Sequence, residues 1–166
     1  MSCVVHWFRQ DLRVSDNPAL SAAAAEAHAR GLPLLPVFAW DPAQIGPTHW
    51  VAQRMGPPRQ AWLADTLQAL DTALQALGSR LLVLRGAPAT VLPALLQATQ
   101  AVALHAELLA APEEANDARL LSHAAQRQGL RCSWHPQATM LVPDALPFAV
   151  TQMPALFTAF RQQVEQ

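Results

Sequence analysis

Five short apolar runs, each followed by a stretch of helical spacing, constrain this chain more than any other feature of its sequence. The first run, Cys3 to Phe8, is strand-length, is β-branched at Val4 and Val5, and meets polar Arg9-Gln10-Asp11 without a glycine. Asp16-Asn17-Pro18 then signals a helix start, with Asn17 as the cap and Pro18 at the first helical position, and the helix runs to Arg30 with Gly31 closing it. Leu32 to Trp40 reads as the second strand; Pro33 and Pro36 cannot donate to a ladder, which moves the expected start of pairing to Leu35 or Pro36. A second helix opens at Pro58, carries an apolar face of Trp62, Leu63, Leu67, Leu70 and Leu74, and stops at Gly78. Arg80 to Arg85 is the third strand. The helix after it is expected over Thr90 to Thr99, starting late or bending because of Pro93. Ala101 to Ala106 is the fourth strand, Pro112-Glu113-Glu114 opens a helix with acidic residues at its positive end, Gly129 closes it, and Leu130 to Trp134 is the fifth strand. Strands alternating with helices through short connections predict a parallel sheet covered on both faces. Beyond His135 the prolines mark an extended segment, followed by one amphipathic helix over Met153 to Gln166.

Composition narrows the classes of function. With 166 residues, 52% hydrophobic and 14% charged, the chain can bury one substantial core. A formal net charge of -1 and a pI near 6.6 give no basic footprint for nucleic acid. Cys3 and Cys132 stand on separate apolar runs without a C-x-x-C pattern, which predicts buried, reduced thiols in a cytoplasmic protein. No signal-peptide pattern and no membrane-spanning apolar run is found. His6, His28, His49, His105, His123 and His135 lack metal-ligand spacing, so structural or surface roles are expected. The G-x-x-x-x-G-K and G-x-S-x-G motifs are absent, and the first turn lacks the glycines of a dinucleotide fingerprint.

Several segments carry a family resemblance. Trp7-Phe8-Arg9-Gln10-Asp11-Leu12-Arg13 followed by Asp16-Asn17-Pro18-Ala19-Leu20, then Arg54-Met55-Gly56-Pro57-Pro58-Arg59, Arg85-Gly86-Ala87-Pro88, and the pair Asp144-x-Leu146-Pro147-Phe148 and Phe157-Thr158-x-Phe160-Arg161 together resemble the amino-terminal α/β domain of the DNA photolyase and cryptochrome family, nearest its DASH branch. The resemblance implies a Rossmann-like three-layer α/β fold with five parallel strands ordered 3-2-1-4-5. It implies that residues 1–135 form the antenna-binding domain and that 136–166 form a connector and helix leading to an FAD-binding helical domain outside this sequence. In the family that helical domain carries the FAD, the lesion pocket and the repair chemistry, so the chain by itself is not expected to act as a deoxyribodipyrimidine photolyase, and DNA would be met only through that partner domain, in the same or a separate chain. The α/β domain would hold a light-harvesting pigment: methenyltetrahydrofolate, FMN or a deazaflavin.

An antenna site needs a rigid crevice with aromatic walls and few polar anchors rather than acids, bases or nucleophiles. By position, the resemblance assigns it Phe8, Arg9, Asp11, Phe38, Trp40, Asp41, Met55 and Arg59, with Glu107 matching an acidic region whose following loop differs in length. Met55 replaces a frequent threonine there. Each residue has a plainer role beside this one: Arg9 and Asp11 as an ion pair fixing the loop, Trp40 as core wall, Arg54 as a solvated surface cation. Met153, Leu156, Phe157 and Phe160 would form a face toward a partner. The rival reading is a stand-alone nucleotide- or small-molecule-binding module of the same topology.

Overall fold

A computed structural model describes residues 2–47 and 50–165 of the chain. The five strands are β1 (Val4–Phe8), β2 (Leu34–Trp40), β3 (Leu82–Arg85), β4 (Ala103–Glu107) and β5 (Arg131–His135), all parallel and ordered β3-β2-β1-β4-β5. The four crossing helices are α1 (Pro18–Arg30), α2 (Pro57–Ala76), α3 (Pro88–Ala98) and α4 (Pro112–Arg127), and α5 (Phe157–Val164) follows the sheet. The expected three-layer fold and strand order are thus observed. Val4, Val5, Trp7 and Phe8 are buried on a β1 that has neighbours on both sides, as a central parallel strand requires.

Side-chain alternation sorts the helices onto the two faces. Odd-numbered Val5 and Trp7 of β1 pack with Val37, Ala39, Leu104 and Ala106 against Leu92 and Leu96 of α3 and Leu121 and Ala125 of α4. On the opposite face Phe8 and Phe38 meet Leu20 of α1 and Leu67, Leu70 and Leu74 of α2, while Val4 and Ala103 meet Ala23 and Ala27 of α1. The alanines of α1 let that helix sit close to the sheet. Because α1 and α2 lie on one face and α3 and α4 on the other, the winding reverses between β1 and β4, and a crevice is left at the strands' carboxyl ends.

Several boundaries differ from the sequence expectation for physical reasons. Pairing of β2 begins at Leu34, and Pro36 pairs with His6 inside the sheet. The Val4 N–H bonds the Pro33 carbonyl at 3.0 Å, so the odd-numbered groups of β2 address β1, and the Pro36 nitrogen addresses β3, whose pairing starts only at Val37. Helix α3 starts at Pro88 rather than Thr90 and keeps Pro93 in its second turn, giving up one intrahelical bond. Trp62 is 61% exposed; it precedes Leu63 by one residue, about 100° round the helix from the stripe that faces the sheet. The helix expected over Met153 to Gln166 forms only from Phe157 to Val164, as the eight-residue α5, with a short 3-10 turn, Val150–Gln152, ahead of it. Both cysteines are free, Cys3 buried and Cys132 half-buried, where burial pushes the Cys132 thiol up to about 11. No helix among the described residues is long and apolar enough to cross a membrane.

Two glycines illustrate different demands. Gly31 ends α1 with φ 62°, in open space. Gly86, after β3, has φ 143°, and an added Cβ would stand 2.6 Å from Val91 Cγ1. Gly31→Ala is expected to cost about 1 kcal/mol, the strain of a left-handed residue alone, whereas Gly86→Ala adds a clash that shifts α3 and costs about 3 kcal/mol. Urea unfolding of the two variants checks this, and equal losses would contradict it.

Candidate functional site at the carboxyl end of the sheet

The crevice has an inner part of about 430 Å³ and an adjoining outer part of about 560 Å³, each in the range of small-molecule sites. The inner walls include Trp7, Phe8, Phe38, Met55 and Leu109, with Arg9, Gln10, Gln44 and Arg59 supplying polar groups. Asp41, Ala43, Pro47 and Asn116 line the outer part, and Arg54, Glu113, Glu114 and Asp117 border both. Helices α2, α3 and α4 all begin at this rim without a side-chain cap on their first amides. Their positive ends face the crevice, and the carboxylates of Glu113, Glu114 and Asp117 answer that potential.

Arg9 holds the inner floor. Its side chain leaves β1 on the α4 side, and the residue is only 9% exposed. One guanidinium nitrogen donates to the Glu107 carbonyl at 3.1 Å and the other to the Glu114 carbonyl at 2.9 Å, joining the end of β4 to the first turn of α4. The guanidinium carbon lies 4.6 Å from the Trp7 ring centroid and 5.9 Å from that of Trp134. Burial lowers the Arg9 pKa, while the charges of Asp117, Glu114 and Glu107 pull it back up. Asp117 feels the converse: burial pushes its carboxyl above the ordinary range and Arg9 opposes.

Glu107 is buried beside this cation and braces the loop after β1. Its carboxylate accepts from the Gln10 N–H at 3.4 Å and from the Asp11 N–H. Burial raises the Glu107 carboxyl, and those two amides act against the rise. Across the mouth, Arg54 of the β2–α2 loop makes a two-pronged pair with Glu113 of α4, at 2.6 and 2.5 Å, so Arg54 is an exposed surface cation with a carboxylate partner. Residues 48 and 49 of that loop, His49 among them, lie outside the described residues.

Phe8, Arg9, Phe38, Met55 and Arg59 therefore come together around the inner crevice, and Asp41 joins the outer part. Glu107 stands behind the floor. Asp11 lies elsewhere, and Trp40 borders a small hollow beside the crevice with Phe38, Asp41, Gln44 and Met55. Asp11 does not pair with Arg9; its carboxylate takes Arg13 Nε at 2.9 Å and the Gln137 amide at 2.8 Å. Trp40 packs edge-on to Phe38 on the α2 side, with ring centroids 6.5 Å apart, and borders a depression with Pro42, Ile45 and Val83 at the β3 edge. Sequence reasoning missed Trp7, Leu109, Glu114 and Asp117. Their signal was available for α4, since a helix following β4 must begin at the same rim as the loop following β1.

A polar cluster lies on the α1 face of the sheet. His105 Nε2 donates to Glu26 Oε2 at 3.0 Å, and its Nδ1 meets His135 Nε2 at 3.1 Å with the rings stacked. Burial would raise the Glu26 carboxyl, but His105, Arg131 and Arg30 outweigh it and hold it low. His6, paired with His105 in the sheet, is 1% exposed. Neither of its ring nitrogens has a partner among the described residues. Burial, together with His105 and His135, lowers the His6 pKa to about 3.

Fold and crevice together define a doubly wound α/β domain with its site at the winding reversal. The family model for DNA photolyase matches residues 4–166, and the chain belongs to the DNA photolyase family. It is similar to the DASH cryptochromes of Gloeobacter violaceus, at 36% identity over 98% of this chain, and of Synechocystis, at 32% over 98%. It spans about a third of those relatives, 32% of the length of each. The crystal structure of the Synechocystis cryptochrome superposes with a TM-score of 0.91 over 99% of this chain and 33% of that one. An archaeal photolyase from Sulfolobus tokodaii, 22% identical, shares the fold with a TM-score of 0.79.

The state of His6 sets a pH dependence with a definite sign. The unfolded ring takes its proton near 6.5 and the folded one only near 3, so His6 costs no stability above about pH 6.5 and lowers it progressively as the pH falls toward 3. The loss reaches about 5 kcal/mol at the acid end. Urea midpoints at pH 7 and pH 4 should converge more for His6→Leu than for the wild type; parallel behaviour of the two proteins would contradict the assignment.

Proposed function

We propose that residues 1–135 form the light-harvesting and scaffolding domain of a photolyase or cryptochrome, and that 136–166 lead toward an FAD-binding helical domain in the same or a separate chain. The observation that carries this reading is the crevice itself. Aromatic and apolar walls from Trp7, Phe8, Phe38, Met55 and Leu109 surround a floor cation already committed to two backbone carbonyls. Such a pocket suits a flat ring system held by shape and stacking, with Gln10, Gln44 and Arg59 left for its polar edges.

The candidate pigments are methenyltetrahydrofolate, FMN and a deazaflavin, and the walls and volume fit a ring of that size. A bound pigment would supply light absorption and pass its excitation energy to the flavin of the following domain. The residues of this chain would orient it and exclude water. DNA contact belongs, in this reading, to the FAD-binding domain, in keeping with a net charge of -1 here. The Sulfolobus tokodaii photolyase, which shares this fold, holds two FAD molecules, with the implication of a novel light-harvesting cofactor in that protein.

Titration of the purified chain with each pigment, followed by blue absorbance and emission, tests the proposal. Saturable binding of one pigment is expected. Phe38→Ala and Arg59→Ala should each weaken it about tenfold, the value of one stacking contact or one charge-assisted hydrogen bond. Saturable binding that neither substitution affects would place the pigment elsewhere, and binding of none would overturn the antenna role for this chain.

A further inference from the structure

The segment after β5 is tied back to the first loop of the chain by a single side chain. Gln137 Oε1 accepts from the Ala19 N–H at 3.0 Å, while Nε2 donates to Asp11 Oδ2 at 2.8 Å and to Asn17 Oδ1 at 3.4 Å. The amide thus presents its oxygen to a donor and its nitrogen to two acceptors, a pattern that fits only one orientation of the group. These bonds join residues at least 118 positions apart in sequence.

What they join is as informative as their number. Helix α1 begins with Pro18, which has no N–H. Its next two donors are Ala19 N–H, taken by Gln137, and Leu20 N–H, taken by Asn17 Oδ1 at 3.0 Å. Asn17 Nδ2 in turn donates to the carbonyls of Arg13 at 3.1 Å and Asp11 at 3.4 Å. The loop that receives Gln137 starts at Arg9 and Gln10, in the crevice wall, and Glu107 holds the amides of Gln10 and Asp11. Gln137 is therefore registered to the crevice floor through a continuous set of hydrogen bonds.

We propose that Gln137 is a positioning residue: it fixes the direction in which the chain leaves the sheet and so sets where anything carried beyond β5 stands relative to the crevice. This rests on the reading that a helical domain follows, yet its test involves neither that domain nor a pigment. A spin-label pair on Ala94→Cys of α3 and Met140→Cys, in a Cys132→Ser background, reports the distance across the join by pulsed electron resonance. The parent should give one narrow distance peak. Gln137→Leu should broaden it at least twofold and raise hydrogen exchange at the Ala19 amide about tenfold, the value of one lost hydrogen bond, with strand amides unchanged.

An unchanged distribution in Gln137→Leu, or a broad one in the parent, overturns the proposal. If Gln137→Leu does not fold, the comparison moves to Asp11. Asp11→Asn keeps an acceptor for Gln137 and should stay narrow, while Asp11→Ala should broaden, and equal widths overturn the proposal. A failed pigment titration leaves this result standing, and a failed join leaves the pigment reading standing.

Discussion

One buried guanidinium holds the working end of this domain together. At the reversal the connections leaving the paired strands β1 and β4 go to opposite faces of the sheet and leave a crevice between them. Arg9 ties β1 to the end of β4 and the first turn of α4 by bonding the Glu107 and Glu114 carbonyls from a position 9% exposed. An uncompensated charge at such burial would be costly. Here the charge has two carbonyl acceptors, the Trp7 and Trp134 rings, and the field of Asp117, Glu114 and Glu107. Arginine suits the task because its planar fork addresses two separated acceptors at once and stays charged.

The same end of the molecule gathers three helix starts without side-chain caps. Helix α1 is fully capped, by Asn17 and Gln137, and lies behind the crevice, whereas α2, α3 and α4 open at the rim without side-chain caps. The domain thus keeps polar backbone available where a ligand would sit and closes it where the chain must be rigid. The Arg54–Glu113 pair spans the mouth between a loop and a helix, and exposed pairs of this kind contribute little to stability and are weakened by salt. The histidine cluster on the α1 face costs stability in acid and takes no part in the crevice.

The sequence made the architecture legible because its signals were redundant. Asn17-Pro18 and Gly31 bracket α1, and the five apolar runs fall on the five strands, whose order followed from the family resemblance. What stayed hidden depended on direction or on distant partners. Whether Pro36 could enter the ladder turned on which neighbour its nitrogen addresses. Trp40 and Phe38 share the α2 face, yet Phe38 lines the inner crevice while Trp40 borders a small hollow beside it, with Asp41, Gln44 and Met55, and the depression toward Pro42 and Ile45. Asp117 and Leu109 become site residues only once β4 is laid beside β1. The Asp11–Gln137 bond spans 126 positions, beyond the reach of any local pattern.

These features give a coherent picture of a domain of the DNA photolyase family whose crevice is preorganised by protein groups alone. Arg9, bonded to two backbone carbonyls and buried, is rigidly held by the protein itself. Nitrogen-detected NMR of the Arg9 guanidinium measures this directly. Two distinct Nη signals are expected, with slow rotation about the Nε–Cζ bond and hydrogens protected from solvent exchange. A single averaged, rapidly exchanging signal would show a mobile side chain and contradict it.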